Sequence, residues 1–89
     1  MTDPFNRAPG GTARAVLEYI ARQLVDDPSA VGVEVNAGNG SAIKLHLDVA
    51  PGDVGRVIGR RGRTAQAIRA VTRAAGARDG EEVFVDIAD

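Results

Sequence analysis

The sequence predicts an α+β fold with the element order α-β-β-α-α-β. Three observations lead there. Apolar residues recur at helical spacing over 13–24 and 65–75, and they alternate with polar ones over 31–35, 43–49 and 83–87. The turn pair Asn39-Gly40 separates the first two alternating runs, whereas a long helical stretch separates the second from the third. The first connection suits an antiparallel hairpin with a two-residue turn, and the second is long enough for a right-handed parallel crossover. A three-stranded mixed sheet in the order 1-2-3 follows, with three helices packed on one face.

Each element has its own justification. Ala13, Val16, Leu17, Ile20 and Leu24 give the first helix one apolar side, Thr12 stands at the N-cap position, and Asp26-Asp27-Pro28 stops the pattern. Val31, Val33 and Val35 alternate with Gly32, Glu34 and Asn36 in the first strand. In the second, Ile43, Leu45, Leu47 and Val49 face inward, while Lys44, His46 and Asp48 face water. Pro51 suits the first turn of a short helix, where its missing N–H would have had no partner, and Asp53 complements the dipole there. Val54, Val57 and Ile58 form that helix's apolar side, and Gly59 ends it. A longer helix is expected over Arg63 to Ala75, with Ala65, Ile68, Val71 and Ala75 inward and Gly76 as its C-cap. Val83, Val85 and Ile87 are the inward residues of the last strand, and Asp86 joins the wet face. Residues 1–11, polar and rich in Pro and Gly, are expected to be a flexible tail, and residues 12–89 to be one domain.

Composition narrows the function classes. At 89 residues and 44% apolar content the chain can build one modest core. It has no cysteine and a single histidine, so disulfides, thiolate metal sites and a histidine metal cluster are all outside its reach. No nucleophile–base pair can be assembled from these residues, and no catalytic residue, metal or cofactor is expected. The glycines at 55, 59 and 62 fit neither G-x-G-x-x-G nor G-x-x-x-x-G-K-[ST]. No apolar run approaches the roughly 20 residues that cross a bilayer. The N-terminal residues lack the basic and apolar regions of a secretion signal, and a cytoplasmic location is expected.

The net charge of −1 conceals a segregation. Between Val54 and Arg78 lie seven arginines (56, 60, 61, 63, 69, 73 and 78) and no acid, whereas the remainder holds four basic residues against twelve acids. A basic segment on an acidic protein fits a local polyanion site better than general stickiness. At the centre of that segment stands Val57-Ile58-Gly59-Arg60-Arg61-Gly62-Arg63-Thr64. Two glycines bracketing two arginines give a tight turn whose backbone can lie against a phosphate chain. The amides opening the next helix face the same ligand, with the positive end of its dipole behind them.

This loop, placed between paired helices in an α-β-β-α-α-β chain, resembles the GXXG loop of the type II KH domain, which clamps a short single-stranded nucleic-acid backbone. The resemblance covers roughly Thr12 to Asp89. The stretch from Val49 to Thr64, followed by Ala67-Ile68-Arg69, is similar to the small stand-alone bacterial KH proteins of the KhpA family, whose loop reads Gly-basic-x-Gly-Arg-Thr. Gly59, Arg60, Gly62, Arg63 and Thr64 match that loop, and Arg61 takes its variable place. The resemblance implies sequence-tolerant binding of single-stranded RNA in the cytoplasm, with an effect on RNA abundance or processing. It also implies a homodimer, a heterodimer with a larger Jag-type KH protein, or both. The acidic run Asp79, Glu81, Glu82 falls in a segment that forms one rim of the groove in such domains.

The expected RNA contacts are Gly59, Arg60, Arg61, Gly62, Arg63 and Thr64, together with Arg56, Ile58, Ile68 and Arg69. Bases would lie over a shallow apolar groove lined from Val57, Ile58, Ile68 and the last strand. Phe5, Tyr19 and Phe84 are the only aromatics and none lies on the loop or its two helices, so base stacking of the sheet-platform kind is not expected. The residues alone leave two other uses of the basic face open: a duplex-DNA module with Arg63, Thr64 and Gln66 early in a reading helix, and an adaptor for an acidic protein.

Overall fold

Strand β2 (Ala42–Asp48) is the centre of the sheet, and its composition explains the position. Ile43, Leu45 and Leu47 are buried on one face, and strict alternation leaves Lys44 and Asp48 exposed on the other. The structure, a computed structural model, describes residues 10–87. Strand β1 (Gly32–Ala37) pairs antiparallel with β2, from Gly32 opposite Asp48 to Ala37 opposite Ile43. Strand β3 (Glu82–Ile87) lies parallel on the other side, from Ala42 opposite Glu82 to Leu47 opposite Ile87. The order is β1-β2-β3, as the sequence predicts.

Helices α1 (Gly11–Leu24), α2 (Val54–Ile58) and α3 (Arg63–Arg78) cover the apolar face. Single tight turns at Pro28–Ala30, Pro51–Asp53 and Arg60–Gly62 join the elements. Leu17, Leu45, Leu47 and Val57 are fully buried where the layers meet. Truncating such a leucine to alanine costs about 2–5 kcal/mol, a large share of a small domain's stability.

Several local expectations are corrected. Gly10, not Thr12, caps α1; Thr12 lies inside the first turn. Gly10 and Gly11 belong to the folded unit: both are buried, and the Gly10 N–H donates to Glu81 Oε2 at 2.9 Å. The rest of the expected tail, residues 1–9, lies outside the described residues, as do residues 88–89. The hairpin turn is one residue longer than a two-residue loop. Gly38 N–H reaches Ala42 O at 2.8 Å, Ala42 N–H reaches Asn39 O at 3.2 Å, and only Gly40 takes a positive φ.

Helix α3 runs through Gly76 rather than stopping there. Its C-terminus is formed by Gly80, at φ 73°, with Gly80 N–H bonded to Ala77 O and Glu81 N–H to Gly76 O, both at 3.0 Å. That pair of bonds is a Schellman motif. Gly76 itself is a close-packing position inside the helix. The inward stripe is Ala65, Ile68, Thr72 and Gly76, whereas Val71 is half exposed. A turn of about 100° per residue separates positions 71 and 72, so packing against α1 and β3 selects the threonine over the more apolar valine.

Candidate nucleic-acid interface

The site begins where α2 ends. After five helical residues Gly59 adopts φ 76° and ψ 174°, a region open essentially to glycine alone. Its N–H still closes the helix on Gly55 O at 2.9 Å. No side chain fits there in any case, because a β-carbon would stand 2.1 Å from the Thr64 hydroxyl oxygen. Thr64 therefore fills the space beside Gly59 and locks the first turn of α3 against the loop.

Residues 60–62 make one tight turn, with Gly62 N–H bonded to Gly59 O at 3.2 Å. Arg61 takes the left-handed conformation at φ 57° and is the one such non-glycine among the described residues. Gly62, also left-handed, caps α3 without a side-chain hydrogen bond, and a β-carbon on it would meet open space. The first amides of α3 are thus uncovered by any capping side chain, and the dipole of a 16-residue helix stands behind them. Arg60, Arg61 and Arg63 are exposed around this turn and have no ion pair among the described residues.

The other expected contact residues are distributed less simply. Ile58 is half-buried at the edge of the core, next to the loop. Val57 and Ile68 lie inside the core, 0% and 3% exposed, so neither forms the surface of the expected groove. Arg56 is engaged in ion pairs, with Asp26 at 3.0 Å and Asp53 at 3.4 Å. Arg69 lies across the cleft between α3 and β3, its Nε–H donating to Val85 O at 3.2 Å. A β-carbon on Gly55 would meet open space among the described residues, so close packing does not require this glycine.

Two features were not anticipated. Asp53, 4% exposed, accepts the backbone N–H groups of Asp26 and Asp27, each at 3.1 Å. It pins the start of the α1–β1 connection, just after α1, to the start of α2 and thereby fixes the helix that carries the loop. Phe84 is half exposed on β3, beside the far end of the α3–β3 cleft. Strand alternation places its side chain outward; what it borders depends on the fold.

On the open face of the sheet, His46 stands between two carboxylates. Its Nδ1 lies 2.8 Å from Asp86 Oδ2 and its Nε2 lies 3.2 Å from Asp48 Oδ1. The hydrogen bond with Asp86 raises the imidazole pKa above its ordinary 6.5; the charges of Asp48 and Asp86 act in the same sense, and desolvation opposes them. Among the described residues no group of three or more His, Cys, Asp or Glu side chains is placed to hold a metal ion. No helix among them is long and apolar enough to cross a membrane.

Comparison with solved structures finds the same chain path in one part of a larger protein. A crystal structure of Aquifex aeolicus Era bound to GDP and aluminium fluoride superposes with a TM-score of 0.61 at 19% identity, over 84% of this chain and 29% of that one. Closer relatives are small. The RNA-binding protein KhpA of Clostridium acetobutylicum is 47% identical over 74 residues, 83% of this chain and 97% of its own length. That of Halalkalibacterium halodurans is 41% identical over 76 residues, 85% of this chain and 99% of its own. Residues 14–87, from the first turns of α1 to the last residue of β3, match the KH domain of KhpA and KhpB. A loop of this shape, in a type II KH fold and with relatives aligned along nearly their whole length, places the chain in the KhpA/KhpB KH-domain family.

Proposed function

We propose that the protein binds single-stranded RNA and holds its backbone with the Gly59–Thr64 loop. The carrying observation is the loop itself: two left-handed residues, an uncapped helix start and three unpaired exposed arginines converge on one turn. Unpaired arginines add little to the stability of a fold, whereas they attract a polyanion and release its counterions. The names borne by the relatives, RNA-binding protein KhpA, support RNA as that polyanion. Arg60 and Arg61 take phosphates at the loop tip, Arg63 adds charge beside them, and Ile58 with the β3 edge receives bases. Thr64 contributes by shaping Gly59, and Ile68 by supporting the groove. Arg69 lines the cleft, and Arg56 braces α2 through Asp26 and Asp53.

Such a groove reaches about four nucleotides and binds sequence-tolerantly. This suits a cytoplasmic RNA chaperone or post-transcriptional regulator without catalytic activity. One weak site gains from a second on the same strand, by about 10²–10⁴ in avidity, so the working species is a homodimer or a heterodimer with a larger Jag-type KH protein. Ala67, Ala70, Val71 and Ala74 give α3 a low outward apolar face suited to the contact; Ala65, by contrast, is buried.

The experiment is replacement of Arg60 and Arg61 by Asp. Both are exposed, and Asp tolerates the left-handed backbone of position 61, so the fold survives while affinity for single-stranded RNA is lost. Affinity of the unaltered protein falls with salt by about 0.7 in log–log slope per phosphate neutralised. A well-folded double variant that binds RNA as before, or binding indifferent to salt, overturns the proposal. Tighter binding to duplex DNA than to single strands would favour a duplex-DNA module. Sedimentation at micromolar concentration, with and without RNA, tests the dimer.

A further inference from the structure

Phe84 divides two hollows. On one side a depression of about 640 Å³ lies between the C-terminal half of α3 and the edge of β3, bordered by Ser41, Arg73, Ala77, Glu82 and Phe84. On the other, on the open face of the sheet, a hollow of about 290 Å³ is bordered by Asn36, Lys44 and Phe84. Lys44 stands directly opposite Phe84 in the β2–β3 register. Arg73 follows Arg69 by one turn on the side of α3 that faces β3, about 15 Å of helix rise beyond Arg63. Neither Arg73 nor Lys44 has an ion pair among the described residues. A half-exposed aromatic ring thus stands at the α3–β3 depression, with a cation that has no ion pair among the described residues on each side.

We infer that Phe84 is a base-stacking position for a nucleotide beyond those held in the groove, so that bound RNA leaves the cleft over the edge of β3 with Arg73 and Lys44 at its phosphates. This rests on the RNA-binding reading of the loop and extends it. Glu81 and Glu82 also border the larger depression and repel phosphate. The contact that holds the strand there is consequently the ring of the base on the phenyl ring. Stacking of this kind accepts every base, because each presents a π-face.

The test is an affinity series with RNA oligonucleotides of four to eight nucleotides at one salt concentration. The unaltered protein shows a step on passing beyond four nucleotides. Base–aromatic stacking corresponds to a gain of roughly 5- to 150-fold. Phe84→Ala removes the step and leaves four-nucleotide binding unchanged, Phe84→Trp preserves it, and an abasic site at the added position removes it in the unaltered protein. Circular dichroism and the four-nucleotide affinity show that each variant is folded. A step that survives Phe84→Ala, or no step in the unaltered protein, overturns this inference alone. Failure of the unaltered protein to bind any RNA overturns it together with the loop reading.

Discussion

Gly76 and Val83 are packed so closely that a β-carbon on the glycine would stand 2.2 Å from Val83 Cγ2. This approach brings the last turns of α3 down onto β3 and closes the core at that end. Replacing a helical glycine by alanine ordinarily stabilises a helix by about 1 kcal/mol. Here overpacking, at about 1–3 kcal/mol, acts in the opposite sense and wins, since a buried β-branched side chain has little freedom to move aside. Gly76→Ala is expected to lower the urea midpoint, and adding Val83→Ala to recover part of the loss.

Thr72 is fully buried, and its hydroxyl oxygen has no hydrogen-bond partner among the described residues. Thr72→Val keeps the branched shape and exchanges a buried polar group for a methyl. Removing an unsatisfied hydroxyl is worth about 1–2 kcal/mol, or roughly 4–8 °C in Tm per kcal/mol for a domain of this size. Thermal unfolding should show the variant to be the more stable protein.

Asp53 serves two backbone donors at once. Asn at this position offers one oxygen and turns an NH₂ group toward the other donor. Asp53→Asn is expected to destabilise the fold by roughly 2–4 kcal/mol. Hydrogen exchange should show the amides of residues 26 and 27 losing protection more than those of β2.

The two loop glycines are not equivalent. Gly59 lies in a glycine-only region with Thr64 against it, whereas Gly62 has an ordinary left-handed backbone and open space around it. Gly59→Ala should therefore be the more damaging change to stability, and Gly62→Asn should be tolerated, since Asn accepts left-handed angles. Equal losses in chemical denaturation would contradict this.

The His46 contact makes stability depend on pH. Its folded pKa is raised, so the folded state holds a proton that the unfolded chain releases near pH 6.5. The contribution is complete below pH 6.5 and is lost as pH rises through the higher folded value. His46→Gln should thus destabilise more at pH 6 than at pH 8.5, which a comparison of urea midpoints reads directly.

The strands were legible because an alternation of Ile43, Leu45 and Leu47 permits only one buried face. The loop was legible because two glycines around two arginines have few other uses. Harder to read were choices made by distant partners. Val71 or Thr72 could each face inward by local spacing, and α1 with β3 decides. Gly76 and Gly80 both follow an apolar helix, and only the bonds from Gly80 and Glu81 identify the stop. The partners of Asp53 lie far back in the chain, at Asp26 and Asp27, so its anchoring role has no local mark. Arg56 counts as one more basic residue in sequence and becomes a brace only once Asp26 is beside it.

The parallel pairing of β2 with β3 has a consequence for how the protein is made. Ile43 waits for Val83, and Leu47 for Ile87. A nascent chain halted at Gly80 already contains the loop and all three helical segments, yet half of its central strand's hydrogen-bonding edge is open and the core lacks three side chains. Contacts so remote in sequence form late, and domains tend to fold as whole units during synthesis. Prematurely terminated products would expose strand edge and apolar surface and be open to proteolysis, so selection for full-length copies is inherent in the topology.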